Sequence, residues 1–143
     1  MPDTFPMLRS VVLDATDARG LAEFYRQLLG YEYRPGDEPP PRGQPDEAGG
    51  DWLVLVDPAG AARLAFQHVE RLMSSTWPTG DIPQQLHLDL RVPTSDALAA
   101  QHRRALALGA RMLHDHFDDP QEPLYVYADP AGHPFCIFVA PNP

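Results

Sequence analysis

The chain has 143 residues, 20 acidic against 11 basic, and a formal charge of −9 at pH 7. Its 43% hydrophobic content is too high for a disordered chain, and its negative charge argues against nucleic acid and anionic membranes as partners, because phosphates would be repelled. The single cysteine, Cys136, excludes an intrachain disulfide, and no run of about 18 apolar residues is present to span a bilayer. Met1 to Phe5 lacks the basic and apolar regions of a signal peptide, so a cytoplasmic location is expected. Every basic residue is arginine, which rules out chemistry through a Schiff-base lysine. The length suits one domain over residues 1–143.

In chain order, a strand is predicted near Leu8 to Asp14, followed by a helix from Asp17 to Leu29. Leu21, Phe24, Tyr25, Leu28 and Leu29 fall on one helical stripe, Thr16 or Asp17 can cap the start, and Gly30 can end it. A short strand follows near Tyr31 to Arg34. Residues 35–50 hold five prolines, four glycines and four acids, and are expected to form a mobile loop. Trp52 to Val56 and Leu64 to Phe66 flank Asp57-Pro58-Ala59-Gly60, which reads as a β-hairpin because proline presets one dihedral angle and glycine tolerates the positive one.

The pattern then repeats. After a linker over 69–83, a strand from Gln85 to Val92 leads to a helix from Ser95 to Leu108, capped by Thr94 or Ser95 and closed by Gly109. A short strand over 110–113 and a second hairpin around Asp129-Pro130-Ala131-Gly132 complete it. Module one thus covers 8–68 and module two 84–140. Each is too small to bury a sufficient core alone.

Strand alternation assigns the faces. Val11 and Leu13 are expected in the core, with Ser10, Val12 and Asp14 opposite. Leu86, Leu88, Leu90 and Val92 are expected to pack on helices, with Gln85, His87, Asp89 and Arg91 opposite. On the last hairpin, Val126, Phe135 and Ile137 are assigned to the core, and Tyr125, Tyr127 and Cys136 to the other face. That non-core face mixes polar and aromatic groups, which suits either a ligand cleft or a solvated sheet surface. The expected ligand-binding residues are Ser10, Gln67, His87, Asp89, Tyr125, Tyr127 and Cys136. On this assignment, removing Tyr127 would weaken ligand binding and spare the fold. As a histidine, His87 can serve as a general base and is the best catalytic candidate, although beside Asp89 it can equally organise the sheet. His114 and His116 fall on one side of a strand, where a solvated strand end is the expected role.

The repeated order strand, helix, three strands resembles the vicinal oxygen chelate superfamily of glyoxalase I, extradiol dioxygenases and bleomycin-resistance proteins. The residues that carry the resemblance are Asp17 to Gly30, both Asp-Pro-Ala-Gly turns, and Leu86-His87-Leu88-Asp89-Leu90. Arg63 to Gln67 looks most like the glyoxalase-like subgroup. The resemblance implies an α+β fold in which two βαβββ modules curl a mixed eight-stranded sheet around a cleft, and it implies a homodimer. The family's four metal-ligand positions fall on Ser10, Ala65, His87 and Cys136, with Gln67 as the substitute for Ala65. A catalytic divalent ion needs about three protein ligands, and only His87 is a strong one here. No metal or other cofactor is therefore expected, and a divalent ion is the lesser alternative. The expected function is binding of a small organic molecule. The alternative is a metal-dependent lyase, isomerase or dioxygenase.

Overall fold

The computed structural model describes residues 5–140. Among them, eight strands and two helices follow one another as two βαβββ modules. The chain divides into two compact units between Glu70 and Arg71. No helix among the described residues is long and apolar enough to cross a membrane.

Module one contains β1 (Val11–Ala15), α1 (Ala18–Leu29), β2 (Glu32–Tyr33), β3 (Trp52–Val56) and β4 (Ala62–His68). Its sheet runs β1-β4-β3-β2, with β1 and β4 parallel and the other pairs antiparallel. The crossover through α1 makes the parallel pair possible. Helix α1 starts where Asp17 accepts a hydrogen bond from the Gly20 backbone N–H (2.9 Å), and ends at Gly30 in the left-handed conformation. Its stripe of Leu21, Phe24, Tyr25 and Leu28 is buried. Leu13, Leu53, Leu55, Leu64 and Phe66 fill the core beside it, and the Tyr25 ring stacks on Phe66.

Module two repeats the arrangement with β5 (Leu88–Val92), α2 (Ser95–Leu108), β6 (Arg111–His116), β7 (Leu124–Ala128) and β8 (Pro134–Val139), in the order β5-β8-β7-β6. Thr94 caps α2 through the Ala97 backbone N–H. The eight strands are thus shared between two four-stranded mixed sheets. The connection over 69–83 carries no helix or strand.

The loop over 35–50 is tied down rather than loose. Arg19, on the first turn of α1, donates Nε and Nη2 to the Asp46 carboxylate at 2.8 and 2.9 Å, and Nη1 to the Asp37 carbonyl at 2.6 Å. The buried Asp37 carboxylate accepts the Val54 backbone N–H at 2.9 Å. The proline, glycine and acid content that led to the expectation of a mobile loop does not register these ties, because they are charge-assisted contacts made by two of its acids, Asp37 and Asp46.

Candidate functional site

In module one, β1 and β4 pair in parallel with Val12 opposite Ala65 and Asp14 opposite Gln67. Val54 on β3 is the next partner of Ala65, and Trp52 of Gln67. Side chains alternate across a strand, so these residues share the face turned away from α1, while Leu13, Leu64 and Phe66 point toward the helix. Ser10 precedes β1 by one residue and is half-buried.

Module two offers the matching face with different chemistry. Asp89 pairs with Cys136, and Cys136 with Val126. His87 directly precedes β5, and its Nε2 lies 3.2 Å from Asp89 Oδ1. One ligand atom from each of His87, Asp89 and Cys136 can be chosen so that all lie within 4.8 Å of one another. Burial, reinforced by the neighbouring Asp89 carboxylate, pushes the Cys136 thiol up to about 11. The thiol is therefore protonated at neutral pH and a poor nucleophile as it stands.

The hairpin register corrects the expected placement of Tyr125 and Tyr127. Tyr125 pairs with Ile137 and Tyr127 with Phe135, so both tyrosines lie on the helix side with the core. Val126 lies on the opposite face with Cys136. Tyr127 is fully buried and stacks on Phe135 at 4.9 Å between ring centroids. The His102 ring of α2 stacks on Tyr125 at 3.8 Å, and its Nδ1 lies 2.7 Å from the Tyr127 hydroxyl. Sequence reading missed this cluster because it treated the tyrosine hydroxyl as a cleft group. A core tyrosine needs only one partner for that hydroxyl, and His102 supplies it. The signal was present: His102 stands one helical turn after Leu98, which is buried.

The two modules superpose in sequence logic. Ser10 and His87 each stand seven residues before the helix cap, Asp17 and Thr94. The register pairs then make Val12 the counterpart of Asp89, and Ala65 that of Cys136. The donor set is consequently lopsided. Module two brings an imidazole, a carboxylate and a thiol. Module one brings a hydroxyl at Ser10 and hydrocarbon at Val12 and at Ala65, which is only 1% exposed. Of the four positions that the resemblance implies, Ala65 offers no donor atom and Ser10 only a neutral hydroxyl, which is a weak ligand. Gln67 lies two residues along β4 on the same face and is exposed, with an amide oxygen as its only acceptor.

A recess of about 390 Å³ lies elsewhere on module one, lined by Glu23, Arg26, Tyr31, Tyr33 and Glu38. None of the residues expected at the site borders it. Its polar groups are largely engaged with each other: Arg26 Nε donates to Glu23 at 2.6 Å, and the Tyr33 hydroxyl donates to Glu23 at 2.8 Å.

The sequence family described as "Glyoxalase-like domain" matches residues 10–138. No curated protein matches the chain significantly. Among solved structures, a glyoxalase/bleomycin resistance protein/dioxygenase family enzyme from Burkholderia phytofirmans PsJN is similar at a TM-score of 0.66 and 18% identity, covering 92% of this chain and 96% of that one. A glyoxalase/dioxygenase from Nostoc punctiforme is similar at 0.66 and 18%, covering 99% and 96%. A fosfomycin resistance protein from Listeria monocytogenes, complexed with Mn(II) and sulfate ion, is similar at 0.63 and 15%, covering 96% and 94%.

Proposed function

The chain belongs to the glyoxalase-like domain family, and from that premise we propose that it binds a small organic molecule without the metal chelate that would join its two modules. The observation that carries this reading is Ala65. It stands, buried and without a donor atom, opposite Val12 on the strand pair that corresponds to Asp89 and Cys136. Lewis-acid chemistry shared between the modules needs ligands from both, whereas a binding function needs only shape, apolar walls and a few placed polar groups. Val12 and Trp52, both partly exposed, supply apolar surface on the module-one face, and Gln67 and Asp14 supply polar groups. The protein is proposed to act as a cytoplasmic homodimer.

The test is native mass spectrometry and calorimetry on tag-free protein with a panel of small aromatic and carboxylic compounds. Saturable 1:1 binding that weakens at least fivefold in Gln67→Ala, without conversion of the compound, is the expected result. A second reading, a metal-dependent lyase, isomerase or dioxygenase with His87 as base, is favoured by the His87–Asp89 pair at 3.2 Å. Turnover of the methylglyoxal–glutathione hemithioacetal or of catechol, dependent on Ni²⁺ or Mn²⁺ and lost in His87→Ala, would replace the binding reading with this one.

A further inference from the structure

We infer that His87, Asp89 and Cys136 form a self-contained site for a borderline-soft divalent ion such as Zn²⁺, built within module two alone. The inference goes beyond the binding function and holds whether or not an organic molecule binds.

The argument starts from the strand pair. Parallel β5 and β8 fix Asp89 beside Cys136, and His87 enters from the residue before β5. The three ligand atoms lie within 4.8 Å of one another. Tetrahedral coordination with metal–ligand distances of about 2.0–2.3 Å spaces its ligands about 3.3–3.8 Å apart. The trio thus has to close by roughly 1 Å. The two groups that must move can do so, since the His87 and Asp89 side chains are 44% and 58% exposed. Cys136 sits on an interior strand between β5 and β7, so its position is fixed while the other two adapt. Among the described residues, this is the group of three or more His, Cys, Asp or Glu side chains with that spacing.

The donor types select the ion. An imidazole nitrogen, a carboxylate oxygen and a thiolate sulfur suit Zn²⁺ and Co²⁺, whereas Mg²⁺ and Ca²⁺ prefer all-oxygen surroundings. Binding replaces the thiol proton of Cys136 with the ion and releases that proton to solvent, so the balance needs no other reactant. Three protein ligands leave a fourth position for water or a ligand group. The counterparts in module one, Ser10, Val12 and Ala65, cannot build a second such site. This differs from a chelate spanning both modules, because no residue of module one takes part.

The experiment uses the full, tag-free chain titrated with Co²⁺ as a spectroscopic probe. The expected result is one equivalent bound, with a near-ultraviolet thiolate-to-cobalt charge-transfer band that Zn²⁺ abolishes and excess Mg²⁺ leaves intact. Cys136→Ser should remove the band, and His87→Ala and Asp89→Asn should each weaken binding at least about tenfold, the lower end for losing even an outer-shell partner. Ser10→Ala, Gln67→Ala and the double substitution of His114 and His116 by alanine should leave it unchanged. Circular dichroism checks that each variant is folded, and Cys136→Ala serves in place of Cys136→Ser if the latter is not. Absence of the band at stoichiometric cobalt, or an unchanged cobalt affinity in His87→Ala, overturns the inference. A tenfold loss in Ser10→Ala or Gln67→Ala also overturns it, because the ligands would then come from both modules.

Discussion

Asp37 shows how one side chain completes a sheet that its strand leaves short. Strand β2 ends at Tyr33, and the Arg34 backbone N–H still reaches the Val54 carbonyl at 2.9 Å. The next partner for Val54 is the Asp37 carboxylate, which is only 7% exposed and also faces the Arg34 guanidinium at 3.0 Å. Asp37→Ala would strand the buried Val54 N–H and should cost about 1–3 kcal/mol, measured by denaturant unfolding, with faster amide exchange at Val54. His102 makes a second residue-scale case. Burial lowers its pKa from 6.5, a shift that Asp115 opposes and Arg103 reinforces. The unfolded chain therefore binds this proton more readily. The contribution to stability is complete above pH 6.5 and declines as the pH falls through that value. Urea midpoints measured from pH 7.5 to 5 should show this decline reduced in His102→Gln. Tyr127→Phe should cost about 1 kcal/mol through the lost hydroxyl contact. Tyr127→Ala should cost about 3–5 kcal/mol, the penalty of a large core truncation, and not the ligand-only effect that the sequence suggested.

At the scale of elements, the two Asp-Pro-Ala-Gly turns share a sequence and differ in surroundings. Each aspartate organises its own turn, with Asp57 Oδ1 accepting from the Ala59 and Ala61 N–H groups and Asp129 Oδ1 from those of Ala131 and His133. Gly60 and Gly132 both hold positive φ, 85° and 96°. A side chain at either position is strained by about 1 kcal/mol. Around Gly60 there is open space, whereas a Cβ on Gly132 would come within 2.3 Å of the Ser74 hydroxyl oxygen. That hydroxyl donates to the Ala131 carbonyl at 3.1 Å and so joins the 69–83 segment to the turn. Gly60→Ala should therefore cost about 1 kcal/mol and Gly132→Ala roughly 2 kcal/mol, the difference being the lost hydrogen bond. Combining Gly132→Ala with Ser74→Ala loses the hydrogen bond only once but leaves the Ser74 Cβ 2.5 Å from the added methyl, so the double variant should be less than additive, with the steric cost still present, when thermal midpoints are compared.

At the scale of the whole molecule, 20 acids against 11 arginines leave a charge of −9, and that excess repels itself in the compact state. Raising NaCl from about 10 mM to about 150 mM shortens the screening length from about 30 Å to about 8 Å. The thermal midpoint should rise by on the order of 1–3 °C, equivalent to about 0.5–1 kcal/mol for a domain this size. Exposed pairs such as Arg63–Asp57 also weaken over the same range, but water already screens them and their contribution is small. A midpoint that falls with salt would mean that paired charges outweigh the excess.

The sequence by itself determined the repeated βαβββ order, because apolar periodicity, cap residues and Asp-Pro-x-Gly turns are local signals that need no partner. Alternation also assigned Asp89 and Cys136 to the non-core side of their strands, and these two residues pair across β5 and β8. Tertiary structure decided the rest. Whether Tyr125 and Tyr127 face the helix or the opposite side depends on the hairpin register against Phe135 and Ile137 and on the partner that His102 offers from α2. An aromatic ring with a hydroxyl suits either side until that pairing is formed. The hold of Arg19 on Asp46, 27 residues away, was likewise out of reach. Charged contacts leave no periodicity in a chain, and their geometry exists only once α1 and the loop have met.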